Sequence, residues 1–196
     1  MSKTFKMERN LNPQESLRII EEMIHSAKAN FKENSFYFIF WGWVIIIAEV
    51  AQLLVSRFTD YAHPYYVWFI IFPAMLISGW YGYSKGRKMS VFSHIMRINV
   101  MTWFSFLISY LILVIFSGSH HNIVPVIFIL AGNATFLTGI IIKFKPLVFG
   151  GIVLWTGAIC MFYLSGIALD LVSILSLVFG YLIPGYMLKY QKEDVK

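Results

Sequence analysis

Six apolar runs, each bounded by polar punctuation, constrain this 196-residue chain more than any other feature. They fall at 36–57, 64–83, 98–117, 122–142, 147–164 and 170–188. A bilayer core about 30 Å thick needs roughly 20 apolar residues of helix, so each run is long enough to cross, the fifth being the shortest. Because unpaired backbone groups are costly in hydrocarbon, runs of this length must be helical. The expectation is an all-α, polytopic membrane helical bundle of six transmembrane helices, preceded by a cytoplasmic amphipathic helix. Its organisation reads as an N-terminal segment 1–35, a membrane domain 36–188 and a tail 189–196.

Composition agrees. Hydrophobic residues make up 58% of the chain and charged ones only 13%, against about 45–50% and roughly 25% in soluble domains. This excludes a soluble enzyme domain, a disordered chain and a disulfide-stapled module. The single cysteine, Cys160, lies in an apolar run and says nothing about redox compartment. The first 35 residues are polar, so the first apolar run is expected to act as an uncleaved insertion signal.

The net charge of +6 is explained by its distribution. Fifteen of the sixteen Lys and Arg residues fall on one side of the six runs, and Arg57 alone on the other. Basic segments stay cytoplasmic, so both termini are expected inside. The basicity is thus an orientation signal, and no nucleic-acid partner is implied. Aromatic residues such as Trp41, Trp43, Tyr65, Tyr66, Trp80 and Tyr81 gather at the ends of the runs, where amphipathic rings settle.

Asn12-Pro13-Gln14-Glu15 reads as a helix start, with an Asn cap, Pro in the first turn and a Glu that bonds back. Leu17, Ile20, Ile24, Ala27 and Phe31 then recur at steps of three and four, an apolar seam on a helix of about 13–33. The seam is a candidate docking face for a protein partner or a second copy, the alternative being packing on its own membrane domain. Residues 13–33 carry three basic and four acidic side chains, a net of −1, and do not form a polybasic lipid anchor. The stretch 84–97, with Lys85, Arg87, Lys88 and Arg97 beside apolar residues, is the better surface-binding segment, although any positive-inside loop has this composition.

Glu49 is the only acidic residue well inside a run. An ionisable group there costs about 2.5–3.5 kcal/mol on insertion scales and faces the bundle interior. Gly42, Glu49, Gln52 and Ser56 form one stripe at helical spacing, which is expected to face other helices. Matching depths across the runs places Tyr110 and Asn133 near the same level, so a hydrogen-bonded layer of Glu49, Tyr110 and Asn133 is expected. Such a layer serves either as a structural bond to a neutral Glu49 or as a proton or cation site.

Ala131, Thr135 and Gly139 on the fourth run, and Ser78 and Gly82 on the second, have the small-residue spacing that lets helices approach. Pro73 and Pro184 predict kinks in the second and sixth runs. Pro146 and Asp170 are expected to begin the fifth and sixth helices, Asp170 as a cap. A 48-residue shift aligns Ser117-Gly118 with Ser165-Gly166, Val124 with Val172 and Gly132 with Gly180, a faint internal repeat. His63, His120 and His121 are metal-ligand types in outer connections, but without a zinc spacing they read as ordinary loop residues. No cofactor motif is present: there is no Gly-x-Ser-x-Gly, no His-Glu-x-x-His and no phosphate-binding glycine loop.

The segments Asn12-Pro13-Gln14-Glu15-Ser16-Leu17, Asn34-Ser35-Phe36-Tyr37-Phe38 and Trp41-Gly42-Trp43 resemble a group of uncharacterised multi-pass membrane proteins of Bacteroidetes. The resemblance covers mainly the first 45 residues and implies an inner-membrane location, with no activity and no catalytic residue to carry over. The leading expectation is a non-enzymatic membrane protein with an association or regulatory role. A small transporter using Glu49 is the second, and a membrane enzyme the third.

Overall fold

The computed structural model describes the backbone of residues 13–86, 94–116 and 123–191, and the side chains of 35–84, 97–116 and 123–191. Every regular element among these residues is a helix. Five helical stretches are long and apolar enough to cross a membrane: Ser35–Phe58, Pro64–Ser84, Arg97–Phe116, Val124–Ile141 and Ile167–Tyr190. Lys145–Met161 is a shorter apolar helix of 17 residues, about 26 Å long at 1.5 Å per residue.

Helix α1 runs without interruption from Pro13 to Phe58. The amphipathic segment and the first apolar run are therefore one helix of 46 residues, about 69 Å long, and not the two successive elements expected. Asn34 and Ser35 at their junction are neither Gly nor Pro, so nothing breaks the hydrogen-bond ladder there. After α1, Pro64 opens a 3-10 segment, Pro64–Ile70, that runs directly into α2, Ile71–Gly86. Pro73 explains the change of winding. It lacks an N–H for the Phe69 carbonyl and crowds that turn, so the preceding residues tighten.

Helix α3 is His94–Phe116, α4 Val124–Ile141 and α5 Lys145–Met161. The turn joining α4 to α5 is a Schellman motif: the Phe144 N–H donates to Gly139 O at 2.8 Å and the Lys143 N–H to Ile140 O at 3.1 Å. Lys143 occupies its left-handed position, with φ 55°. Helix α6 is Ile167–Leu177, and Gly166, with φ 60°, precedes it. Asp170 lies in the first turn and makes no side-chain cap bond, so the cap lies four residues before the expected one, at Gly166. Gly166 takes the cap position because it alone adopts that backbone conformation readily.

A five-residue π-helical segment, Val178–Leu182, joins α6 to α7, Ile183–Tyr190. The expected kink at Pro184 thus takes the form of a wide turn. Pro184 has no N–H to give the Gly180 carbonyl, and that carbonyl is turned against Gly150 of α5.

Helix α5 is the centre of the bundle. Its Leu147, Gly150, Gly151, Leu154, Gly157, Ala158 and Met161 are all buried. Gly151 faces α4, where a Cβ would stand 2.6 Å from Phe136 Cβ and 2.9 Å from Gly132 O. Gly150 faces the π-helical segment on the other side. The adjacent glycines let two neighbours reach the α5 backbone at one level, which side chains would prevent. The 48-residue match pairs Gly132 with Gly180, and both lie against α5. Of the small residues expected on α4, Thr135 and Gly139 are buried and Ala131 is half-buried; Gly139 meets the α5 backbone at Val148, and Gly132, not among those expected, meets it at Gly151.

Helix α1 packs antiparallel to the last helical stretch. Phe38 lies against Gly185, Gly42 against Leu182, and Glu49 against Ser173. Helix α2 adds to the outer side of α1 through the Phe36–Tyr81 stack, with centroids 4.0 Å apart. Helix α3 lies against α4 and reaches the rest of the bundle through Trp103, whose ring contacts Phe38 at 5.8 Å and Tyr181 at 6.2 Å.

Candidate functional site

The first apolar run turns Gly42, Glu49 and Gln52 of its polar stripe toward other helices, each to a different partner, whereas Ser56 is exposed and departs from the expectation. Glu49 is 9% exposed and is hydrogen-bonded through Oε1 to the Ser173 hydroxyl of α6. Gln52 Oε1 accepts a hydrogen bond from the Trp68 indole of the 3-10 segment. Gly42 admits Leu182. Ser56 is exposed and donates to the Leu53 carbonyl of its own helix at 3.0 Å.

Tyr110 and Asn133 do not join Glu49. Tyr110 stacks on Phe106 of its own helix, with centroids 6.3 Å apart, and Asn133 is exposed on α4 in the groove facing α3. The expected layer is therefore corrected to an α1–α6 pair. Equal depth did not make neighbours of these residues, because α1 packs on the last helical stretch at Glu49, while α4 packs on α5 and α3 on α4.

The Ser173 hydroxyl donates to Glu49 Oε1 and also lies 2.8 Å from the Asp170 carbonyl of its own helix. Glu49 Oε2 is buried without a hydrogen-bond partner among the described residues. An ionised carboxylate would need donors at both oxygens, so the surroundings match the neutral group.

A second polar knot, absent from the sequence expectations, joins α3 to α4. Thr138 Oγ1 lies 2.9 Å from Asn99 Oδ1 and 2.7 Å from the Ala134 carbonyl, and it accepts from the Trp103 indole at 3.1 Å. Thr138 is 2% exposed and Asn99 9%. The signal available in the sequence was the pair of polar residues Asn99, at the start of the third run, and Thr138, toward the end of the fourth. On the last helical stretch, Tyr186 Oη accepts from the Trp43 indole at 3.1 Å.

On the opposite side from these knots, His63 is hydrogen-bonded to Tyr65 Oη at 2.8 Å and its ring contacts Tyr61 and Tyr66. A cavity of about 360 Å³ lined by Val55, Thr59, Tyr61, His63, Pro64, Tyr66 and Val67 opens there. No group of three or more His, Cys, Asp or Glu residues able to hold a metal ion occurs among the described residues. His120 and His121 lie outside them, as do the side chains of Leu17, Ile20, Ile24 and Phe31 and of the stretch 85–96. The backbone that carries the seam is helical from Pro13 onward.

Compared with known proteins, the chain matches no family model, no curated protein and no solved structure.

Proposed function

We propose that this chain is an integral protein of a bacterial inner membrane that crosses the bilayer six times, keeps both termini in the cytoplasm, and acts by association or regulation. The observation that carries the association reading is the continuity of α1. The seam Leu17, Ile20, Ile24 and Phe31 belongs to the same unbroken helix as Glu49, so a partner held on the seam is coupled rigidly to the bundle. The antiparallel packing of α1 on the last helical stretch supports termini on one side, as does the fifteen-to-one distribution of basic residues. A sixth crossing by the short α5 is supported by its central place in the bundle. Its length of about 26 Å is close to the hydrocarbon thickness of about 30 Å.

Transport through Glu49 is the second reading, and the buried, unpartnered Oε2 favours it. The association reading is preferred because Glu49 Oε1 is engaged by Ser173 in a contact that joins α1 to α6.

The test has two arms. Cysteines placed at Thr59 and at Gln191 in a Cys160→Ser background are labelled with an impermeant maleimide on intact cells. Labelling of the first alone is expected, and labelling of both overturns the topology. Affinity capture of the whole chain is then compared with capture of a chain lacking residues 1–33. An unchanged set of bound proteins overturns docking by the seam.

A further inference from the structure

The lipid-facing groove between α3 and α4 has a lining that lipid cannot match. It has a volume of about 520 Å³, and its walls include Arg97, Ser105, Ser109 and Asn133 among apolar neighbours such as Met101 and Leu130. From Arg97 to Ser109 it extends about 18 Å along α3. Asn133 is exposed in it, about 13 Å from either end of α4, and makes no hydrogen bond to any described residue. On the membrane reading above, on which this inference rests, that places an open carboxamide at the centre of the hydrocarbon, where neither water nor an acyl chain offers a partner.

We propose that the α3–α4 groove is the contact face for a second copy of this chain, joined about a two-fold axis through the paired Asn133 side chains. The argument is complementarity of hydrogen-bond donor and acceptor. An asparagine carboxamide presents a positive donor end and a negative acceptor end, so across a two-fold axis each amide meets its complement twice. An isologous contact of this kind needs only one patch per copy. Ser105, Ser109 and Ala134 are small and line the same groove, which lets two backbones approach. Arg97 lies at its rim, near the end of α3, where water and salt screen the charges of the two copies. The wall behind the groove is rigid, because the Asn99–Thr138–Trp103 knot ties α3 to α4. The span Arg97–Phe116 is otherwise the least covered by protein of the five long apolar stretches.

The full-length chain is reconstituted in phospholipid bilayers and its dimer dissociation constant measured by energy transfer between labelled copies. Replacing Asn133 with Leu is expected to raise that constant about tenfold, while Asn133→Gln retains most of the dimer. Ser109→Cys in a Cys160→Ser background is expected to form an intermolecular disulfide on mild oxidation. The native Cys160, exposed on α5 and away from the groove, is expected to form none. An Asn133→Leu dimer as tight as the wild type overturns the proposal, as does a monomer carrying a tightly bound phospholipid in place of the second copy. A monomer that still partitions with membranes overturns this proposal alone; a chain that does not partition with membranes overturns the membrane reading with it.

Discussion

Glu49 of α1 and Ser173 of α6 form a buried hydrogen-bonded pair across the antiparallel contact that brings the first and last helical stretches together. Neither residue is near the other in sequence, and no other described side chain reaches the Glu49 carboxyl. Removing the hydroxyl leaves a buried carboxyl without a partner, which costs about 1–3 kcal/mol. Ser173→Ala is therefore expected to lower thermal stability in detergent by that amount. Glu49→Gln, whose amide oxygen still accepts from Ser173, is expected to stay within about 1 kcal/mol of the wild type. A Glu49→Gln chain that folds but loses all activity would instead favour the transport reading.

Gly150 and Gly79 make opposite predictions from the same substitution. A Cβ at Gly150 runs into the Gly180 carbonyl and Pro184, which are parts of the bundle centre and cannot yield separately. Gly150→Ala is expected to cost about 3 kcal/mol or to prevent folding. At Gly79 nothing lies within 4 Å of the added carbon, so Gly79→Ala is expected to stabilise α2 by about 0.5–1 kcal/mol. Melting temperatures of the two variants, measured side by side in one detergent, check the contrast.

Lys143 holds a left-handed backbone conformation that suits glycine. Its side chain is exposed, so exchanging it removes little packing. Lys143→Gly is expected to raise stability by about 1 kcal/mol, seen as a higher unfolding midpoint. A lower midpoint would show that the lysine charge outweighs the backbone strain.

Thr138 is the hub of the α3–α4 knot. Valine has the same shape without the hydroxyl, so Thr138→Val leaves Asn99 and the Trp103 indole without their shared partner. An expected loss of about 1–3 kcal/mol follows. Because Trp103 is the link from α3 to Phe38 and Tyr181, a change in its fluorescence is expected to accompany the loss.

What the linear sequence determined was everything governed by local composition and period. Hydrocarbon-length apolar runs dictate helices, because backbone groups must be paired within the segment. Pro146 located the start of α5, and the inward face of Gly42, Glu49 and Gln52 was legible from spacing alone. Which helices are neighbours was decided only by the tertiary structure. The depth of Glu49, Tyr110 and Asn133 was readable along each run, yet depth carries no information about lateral position, and all apolar helix faces look alike in sequence. That choice was made by close backbone contacts at Gly132, Gly150, Gly151 and Gly180, which place α5 in the centre and leave α1 to pair with the last helical stretch. The partner of Glu49 is consequently a serine on α6, and Asn133 is left facing outward.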